Sequence, residues 1–418
     1  MDSNPDVLVI GGGVVGLCCA HHLRRGGASV VVVERGAVGG PDSCSYGNTG
    51  FVGTQSAPLA EPGVLALGIR WLSSASSPFH VRMQPDPDLR RWLWHFRAAC
   101  TEEAARTGSA LLEDMKRRSQ EILRELCAGG GMASVYSAAG LLVAYRTPRA
   151  FEKACAAVPP AVSRGVRLRA LEPEALRALE PEVEWDVCGA VHDEDAACLR
   201  APGFVVELAR LLEEMGVEIR AHEPVVGFEA ADGRVAAVRT SRGNVWPREV
   251  VIAAGAWSTQ WARKLGVHLE LQPARGYSVT AGRPRGAPRL PVLLSEGRVA
   301  VMPLGDRIRY GGTLELSGMD GAISERRVEA IRRTVDEYLP GLESTETLEV
   351  WSGLRPCTPD GLPLIGRAQP YRNLSVACGH GQIGMGLAPI TGRLIAQILA
   401  GEPPDLDLAP FRVGRYSR

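Results

Sequence analysis

Residues Asp6 to Arg35 constrain the fold more than any other part of the chain. Val7-Leu8-Val9-Ile10 is a short, wholly apolar run, the pattern of a central parallel strand buried on both faces. Gly11-Gly12-Gly13-Val14-Val15-Gly16 follows, and an amphipathic segment then runs to Arg25 and stops at Gly26-Gly27. A second apolar run, Val30 to Val33, ends at Glu34. Strand, glycine turn, helix, strand and terminal acid in that order predict a dinucleotide-binding βαβ unit.

Each part has a chemical reason. Gly11 permits the tight turn out of the first strand. Gly13 lets the backbone approach a pyrophosphate seated on the positive end of the helix, beside Val14 and Val15. Gly16 lets helix and strand pack closely. Glu34 is placed to accept hydrogen bonds from the ribose hydroxyls, and its charge disfavours a 2′-phosphate and so NADP. The unit by itself leaves NAD and FAD open.

The whole chain is compatible with an ordinary globular enzyme. Its 418 residues are 45% hydrophobic and 22% charged, with 47 basic and 47 acidic side chains. Such a composition excludes a disordered, collagenous or coiled-coil chain. Only Lys116, Lys153 and Lys264 are lysines, so arginine dominates the basic residues. These arginines are scattered and the net charge is zero, so there is no electrostatic footprint for nucleic acid. The ten cysteines include no CxxC pair and no zinc-type spacing, so no metal site is expected. Reduced core thiols, no signal-like N-terminus and no apolar run of membrane-spanning length lead to the expectation of a cytoplasmic protein.

Further along, Ser45-Tyr-Gly-Asn-Thr-Gly50 reads as a polar loop. Residues 85–97 begin a helix whose Leu89, Trp92, Leu93 and Phe96 share one face. Packing against a core is expected there, with peripheral membrane contact the less favoured alternative. Helices are also expected near 101–128, 201–216 and 323–339. Asp232-Gly233 marks a hairpin. Glu249 to Gly255 reads as another buried strand ending in a glycine loop, and the segments 273–279, 299–303 and 307–313 read as antiparallel strands.

Near the end come Gly353-Leu-Arg-Pro356, Thr358-Pro-Asp-Gly361 and Gly379-His-Gly-Gln-Ile-Gly384-Met385-Gly386, before a final amphipathic helix. With the N-terminal unit, Ser45–Gly50 and Val250–Trp257, these motifs resemble the D-amino-acid oxidase/dehydrogenase family of FAD-dependent amine oxidoreductases. The resemblance covers nearly the whole chain. It implies an α/β fold: a Rossmann-like FAD-binding domain of the glutathione-reductase type, interleaved with an α+β substrate domain built on an antiparallel sheet. The expected FAD domain is 1–75, 190–265 and 345–418, and the expected substrate domain is 76–189 and 266–344.

The resemblance also implies roles. Arg355 would grip a substrate carboxylate bidentately. His380 would approach the flavin, and Tyr277, on a strand of the roof, would bond the substrate. Tyr310 is a weaker candidate of the same kind. FAD contacts are expected from Gly11, Gly13, Val14, Val15, Gly16, Glu34, Arg35, Ser45, Asn48, Thr49, Gly50, Val225, Ala254, Gly255, Trp257 and Gly353. Gly381, Gln382, Ile383, Gly384 and Met385 complete the set, with the following helix aiming its N-terminus at the flavin. Cys357 directly precedes Thr358, too close to match the cysteine through which some relatives bind flavin, so FAD is expected to be non-covalent. The expected partners are a small amino or imino acid and either oxygen or a downstream electron acceptor. The alternatives are a flavin monooxygenase, disfavoured by Cys378-Gly-His-Gly where those enzymes carry Gly-Asp-Ala, and an FAD-binding subunit of a larger complex. Nothing in the sequence specifies an oligomeric state.

Overall fold

The computed structural model describes residues 4–54, 60, 62–64, 79–81, 86–319, 322–342 and 345–416. The expected boundary at 75/76 lies outside the described residues. The N-terminal unit folds as its pattern dictates: strands Val7–Ile10 and Val30–Val33 pair in parallel around helix Val14–Arg25. They are the heart of a six-stranded sheet ordered 218–220, 30–33, 7–10, 249–252, 374–378, 364–367. All its neighbours are parallel except the last pair.

This sheet is apolar on both faces because both are covered. Val7, Val9, Val30 and Val32 pack into one cluster with helices Val14–Arg25, Ala201–Glu214 and Gly384–Ala400. Leu8, Ile10, Val31 and Val33 pack into another, which includes Val225, Val235 and Val245 of a three-stranded antiparallel sheet. Helix Glu102–Leu126 adds Leu112, Met115 and Leu123 to the first cluster.

The second large unit is a nine-stranded sheet. Strands Thr347–Cys357, Gln272–Gly282, Arg307–Leu316, Val299–Leu304 and Val292–Leu294 run antiparallel in that order. Leu141–Tyr145, Gly189–Asp193 and Leu168–Leu171 extend it, and Phe79–Val81 pairs in parallel with the end of Arg307–Leu316 as the ninth strand. Helix Glu325–Tyr338 lays Val328, Ile331 and Val335 on one face, against Tyr277, Val279 and Tyr310.

The pairing and packing depart from the expected boundaries in several places: Tyr136–Ser137 and helix Glu102–Leu126, expected in the substrate domain, respectively pair with Ala197–Leu199 and pack on the six-stranded sheet. Residues 190–193 and 345–357 were expected in the FAD domain, yet Gly189–Asp193 and Thr347–Cys357 hydrogen-bond into the nine-stranded sheet. The reason is the ladder itself: the Gly-Leu-Arg-Pro segment continues an 11-residue strand in register with Gln272–Gly282. The sheet is also not wholly antiparallel, since Val292–Leu294 runs parallel to Leu141–Tyr145.

Helix Pro87–Ala99 is core-packed. Leu89, Trp92 and Phe96 are buried, the Trp92 and Phe96 rings stack, and Trp92 Nε1 donates to the Cys357 carbonyl at 2.9 Å. No helix among the described residues is long and apolar enough to cross a membrane.

Candidate cofactor and substrate site

A cleft enclosing about 1340 Å³ of empty space opens at the carboxyl ends of the parallel strands. The backbone at its floor is built for close approach. A Cβ on Gly16 would lie 1.9 Å from the Gly11 carbonyl oxygen, so only glycine lets the helix pack this near the turn. Gly13 opens the other way: a Cβ there would meet nothing nearer than Ser45 Oγ at 3.7 Å, and would fill the space above the helix N-terminus.

Polar groups close the floor. Glu34 accepts from the Gly12 N–H at 2.7 Å and from the Gly36 N–H at 3.0 Å, which fixes its carboxylate at the end of the second strand. Ser45 Oγ accepts from the Val14 N–H at 3.3 Å. The Arg35 guanidinium stacks 3.6 Å over the Trp257 ring, and both residues line the cleft.

Of the residues expected to contact the cofactor, Gly11, Gly13, Val14, Val15, Glu34, Arg35, Ser45, Asn48, Val225, Ala254, Gly255, Trp257, Gly381, Gly384 and Met385 line this cleft. Gly16 stands behind its floor. Thr49 packs on Gly311, Gly50 on Leu199, and Gly353 lies under the Trp351 ring. Gln382 and Ile383 line a smaller cavity with Leu112, Leu314 and Cys357, and His380 and Gly381 border both spaces.

The expected catalytic residues separate. Arg355 lies on the sheet face that turns toward loop 43–49. Its guanidinium occupies the space a Cβ on Gly276 would need, and it sits among Cys44 and Cys357. Burial pulls its pKa down, and the titratable groups nearest it are those two thiols, themselves kept protonated by burial. Among the described residues no carboxylate lies within ion-pair distance of it; its one hydrogen bond runs from Nη1 to the Thr313 carbonyl at 2.5 Å. It is half-buried and is not itself among the residues that line the cleft, although its neighbours Cys44 and Pro356 are.

Tyr277 does not face the cleft, contrary to the expected role. It is paired with Ser352, one residue out of phase with the Gly276–Gly353 pair, and therefore points to the opposite side of the sheet. There it is 1% exposed and donates to Glu315 Oε2 at 2.6 Å. Tyr310 is in the same cluster beneath the helix. His380 borders the cleft, but its Nε2 is 2.9 Å from Thr391 Oγ1 and burial drives its pKa down to about 3. It is a neutral wall residue, unsuited to act as a base near pH 7.

Cys44 and Cys378 line the cleft and were not anticipated. Burial raises their thiols to about 11 and about 12 respectively. Thr313 was missed as well: it holds a left-handed φ of 64° at an irregularity in the Arg307–Leu316 strand. Only the tertiary pairing reveals it.

A parallel sheet with helices on one face and a small antiparallel sheet on the other, a glycine turn beneath a helix N-terminus and an acid at the second strand end define a dinucleotide-binding protein. A sequence profile of the DAO family, described as FAD dependent oxidoreductase, matches residues 6–398. The chain is 34% identical to a D-amino acid dehydrogenase of Methylobacterium radiotolerans, covering 98% of this chain and 99% of that protein. It is likewise 34% identical to a D-amino acid dehydrogenase of Paramagnetospirillum magneticum, with the same coverage. Among solved structures, glycine oxidase from Bacillus cereus superposes with a TM-score of 0.77 at 22% identity, covering 99% of each chain. L-proline dehydrogenase from P. horikoshii superposes at 0.76 with 18% identity, covering 100% of this chain and 99% of that one. The chain belongs to the DAO family of FAD-dependent oxidoreductases, and FAD is its cofactor. The cleft fits that group: Gly13 leaves the N-terminus of helix Val14–Arg25 open, and Gly381, Gly384 and Met385 bring the start of helix Gly384–Ala400 to the same cleft, so backbone N–H groups there would be available to hold it.

Proposed function

We propose that this protein oxidises the amine of a small amino or imino acid to an imine, with the substrate carboxylate held by Arg355. One observation carries the reading: the Arg355 guanidinium is pressed into the protein beside the cofactor cleft without a carboxylate partner among the described residues. An unneutralised cation in such a place is costly unless an anion completes it. Its Nη1 is committed to Thr313, which leaves the Nη2 and Nε edge for a two-point grip on a carboxylate. Full-length likeness to D-amino acid dehydrogenases favours a D-amino acid as substrate.

Bound FAD would supply the two-electron acceptor for the hydrogen and electron pair that leave the substrate Cα. The chain's residues position the substrate and shield it from water. The amine must be neutral, so that its lone pair can form the C=N bond as the hydride leaves. His380, neutral and tied to Thr391, removes no proton from Cα. Water then hydrolyses the imine, giving a keto acid and ammonia from a primary amine. FAD is held without a covalent bond: Cys44 and Cys378, which line the cleft, are kept protonated by burial and are poor nucleophiles.

The test is anaerobic bleaching of the bound flavin by a panel of D-amino acids, D-proline, hydroxyprolines, glycine and sarcosine. At least one should bleach it, and readmitted oxygen then distinguishes oxidase from dehydrogenase. A flavin that dithionite reduces but no amino or imino acid bleaches overturns the reading. Denaturation should release all the yellow colour into solution.

A further inference from the structure

Arg309 is only 5% exposed, yet no part of the reaction described above uses it. It lies on strand Arg307–Leu316, opposite Thr280, which in turn faces Glu349 on the next strand. The three side chains form a row on the same sheet face as Arg355, because Glu349, Trp351, Gly353 and Arg355 alternate onto one side. Six residues separate Glu349 from Arg355, a span of about 20 Å along the strand.

The row grips loop 45–50. Arg309 Nε donates to Thr280 Oγ1 at 3.0 Å, which orients the guanidinium. Nη1 donates to the Tyr46 carbonyl at 2.8 Å and reaches the Asn48 carbonyl at 3.5 Å. Glu349 lies 3.7 Å from Nη2 and accepts from the Tyr46 hydroxyl at 2.7 Å. Two residues along, Trp351 Nε1 donates to the Pro41 carbonyl at 2.7 Å, and its ring fills the space a Cβ on Gly47 would take. The same loop puts Ser45 and Asn48 on the cofactor cleft.

We propose that Arg309 is a positioning residue: it sets the spacing between the cofactor loop and the sheet that carries Arg355, and thereby the distance from substrate Cα to the flavin. The proposal rests on the reading that FAD oxidises an amino acid held by Arg355. A guanidinium suits the task because its fork serves a side chain and two carbonyls at once, and because a charged donor makes shorter, stronger bonds. Hydride transfer is steeply sensitive to distance, so a slackened loop should slow chemistry more than it weakens carboxylate binding.

The experiment compares FAD-loaded wild type, Arg309→Met, Arg309→Lys and Tyr46→Phe. Three quantities are read: the limiting rate of anaerobic bleaching per bound flavin, the dissociation constant of a non-reacting carboxylate from the flavin spectral shift, and the flavin spectrum itself. In Arg309→Met the limiting rate should fall about 10- to 100-fold while the carboxylate constant moves less than about threefold. The visible flavin band should change shape. Arg309→Lys, which keeps one donor for the Tyr46 carbonyl, should recover part of the rate. If Arg309→Met does not fold, a lowered rate per bound flavin in Arg309→Lys and Tyr46→Phe supports the proposal. A merely structural role would lower melting temperature and flavin content with an unchanged rate per bound flavin, and that result overturns the proposal. Failure of every amino acid to bleach the wild type would instead sink the functional reading.

Discussion

Arg355 donates from Nη1 to the backbone carbonyl of Thr313 at 2.5 Å, and Thr313 stands at a left-handed φ of 64°. A β-branched residue adopts that conformation only when its surroundings impose it. The irregular pairing of the Arg307–Leu316 strand therefore aims a carbonyl at the guanidinium and fixes which edge faces outward. Replacing Arg355 by Leu should leave FAD content unchanged and raise KM for the amino acid by about 100-fold or more, the worth of a charge-assisted two-point contact. Arg355→Lys should fall between. An unchanged KM in steady-state kinetics with the leucine variant would remove the carboxylate assignment.

Tyr277 supplies the opposite control. Its hydroxyl serves Glu315 on the far face of the sheet. Tyr277→Phe should keep KM and kcat within about twofold, while unfolding free energy drops by about 1–2 kcal/mol because the half-buried Glu315 carboxylate loses a donor. Denaturant titration and initial rates on one preparation check both halves. A large loss of kcat with normal stability would return this tyrosine to the substrate.

Gly13 and Gly16 should fail in different ways. Gly13→Ala places a methyl in open cleft, so the apoprotein should melt as wild type while FAD affinity falls at least about tenfold, since the phosphate can no longer approach the backbone. Gly16→Ala drives a methyl into the Gly11 carbonyl, so the fold itself should be destabilised. Thermal melts without FAD, followed by fluorescence titration with it, separate the two outcomes.

His380 makes a prediction about pH. Burial lowers its folded pKa to about 3, against 6.5 when unfolded. A histidine with a depressed folded pKa contributes stability that is present above 6.5 and is lost as pH falls toward 3, because the unfolded chain binds the proton first. At pH 5 the loss is about 2 kcal/mol. His380→Asn should therefore lose less stability between pH 7 and pH 5 than wild type does, by about that amount. The apparent pKa in the kcat/KM profile should not move, since it belongs to the substrate amine; a shift in that pKa would make His380 a participant in proton transfer.

The βαβ unit was legible in sequence because its causes are local. Four consecutive apolar residues closed off by a glycine turn fit a strand covered on both faces, and Gly16 answers to the Gly11 carbonyl within the same unit. The grip of Gly-Leu-Arg-Pro was legible as a motif, but its backbone was not. It is the end of an 11-residue strand whose membership is decided by hydrogen bonds to Gln272–Gly282, so the boundary at 345 fell in the wrong unit. Sheet parity likewise sent Tyr277 away from the cleft: a strand signal does not say which of two alternating faces meets the cofactor.

Among the 47 basic residues the sequence by itself distinguished Arg355, through the residues beside it in the chain. Arg309 has no such company: its partners Tyr46, Thr280 and Glu349 lie 263, 29 and 40 positions away. Local patterns determined the cofactor unit and the class of chemistry. The tertiary structure decided which side chains face the cleft, since a sheet face and a long-range ion pair exist only once distant strands are in register.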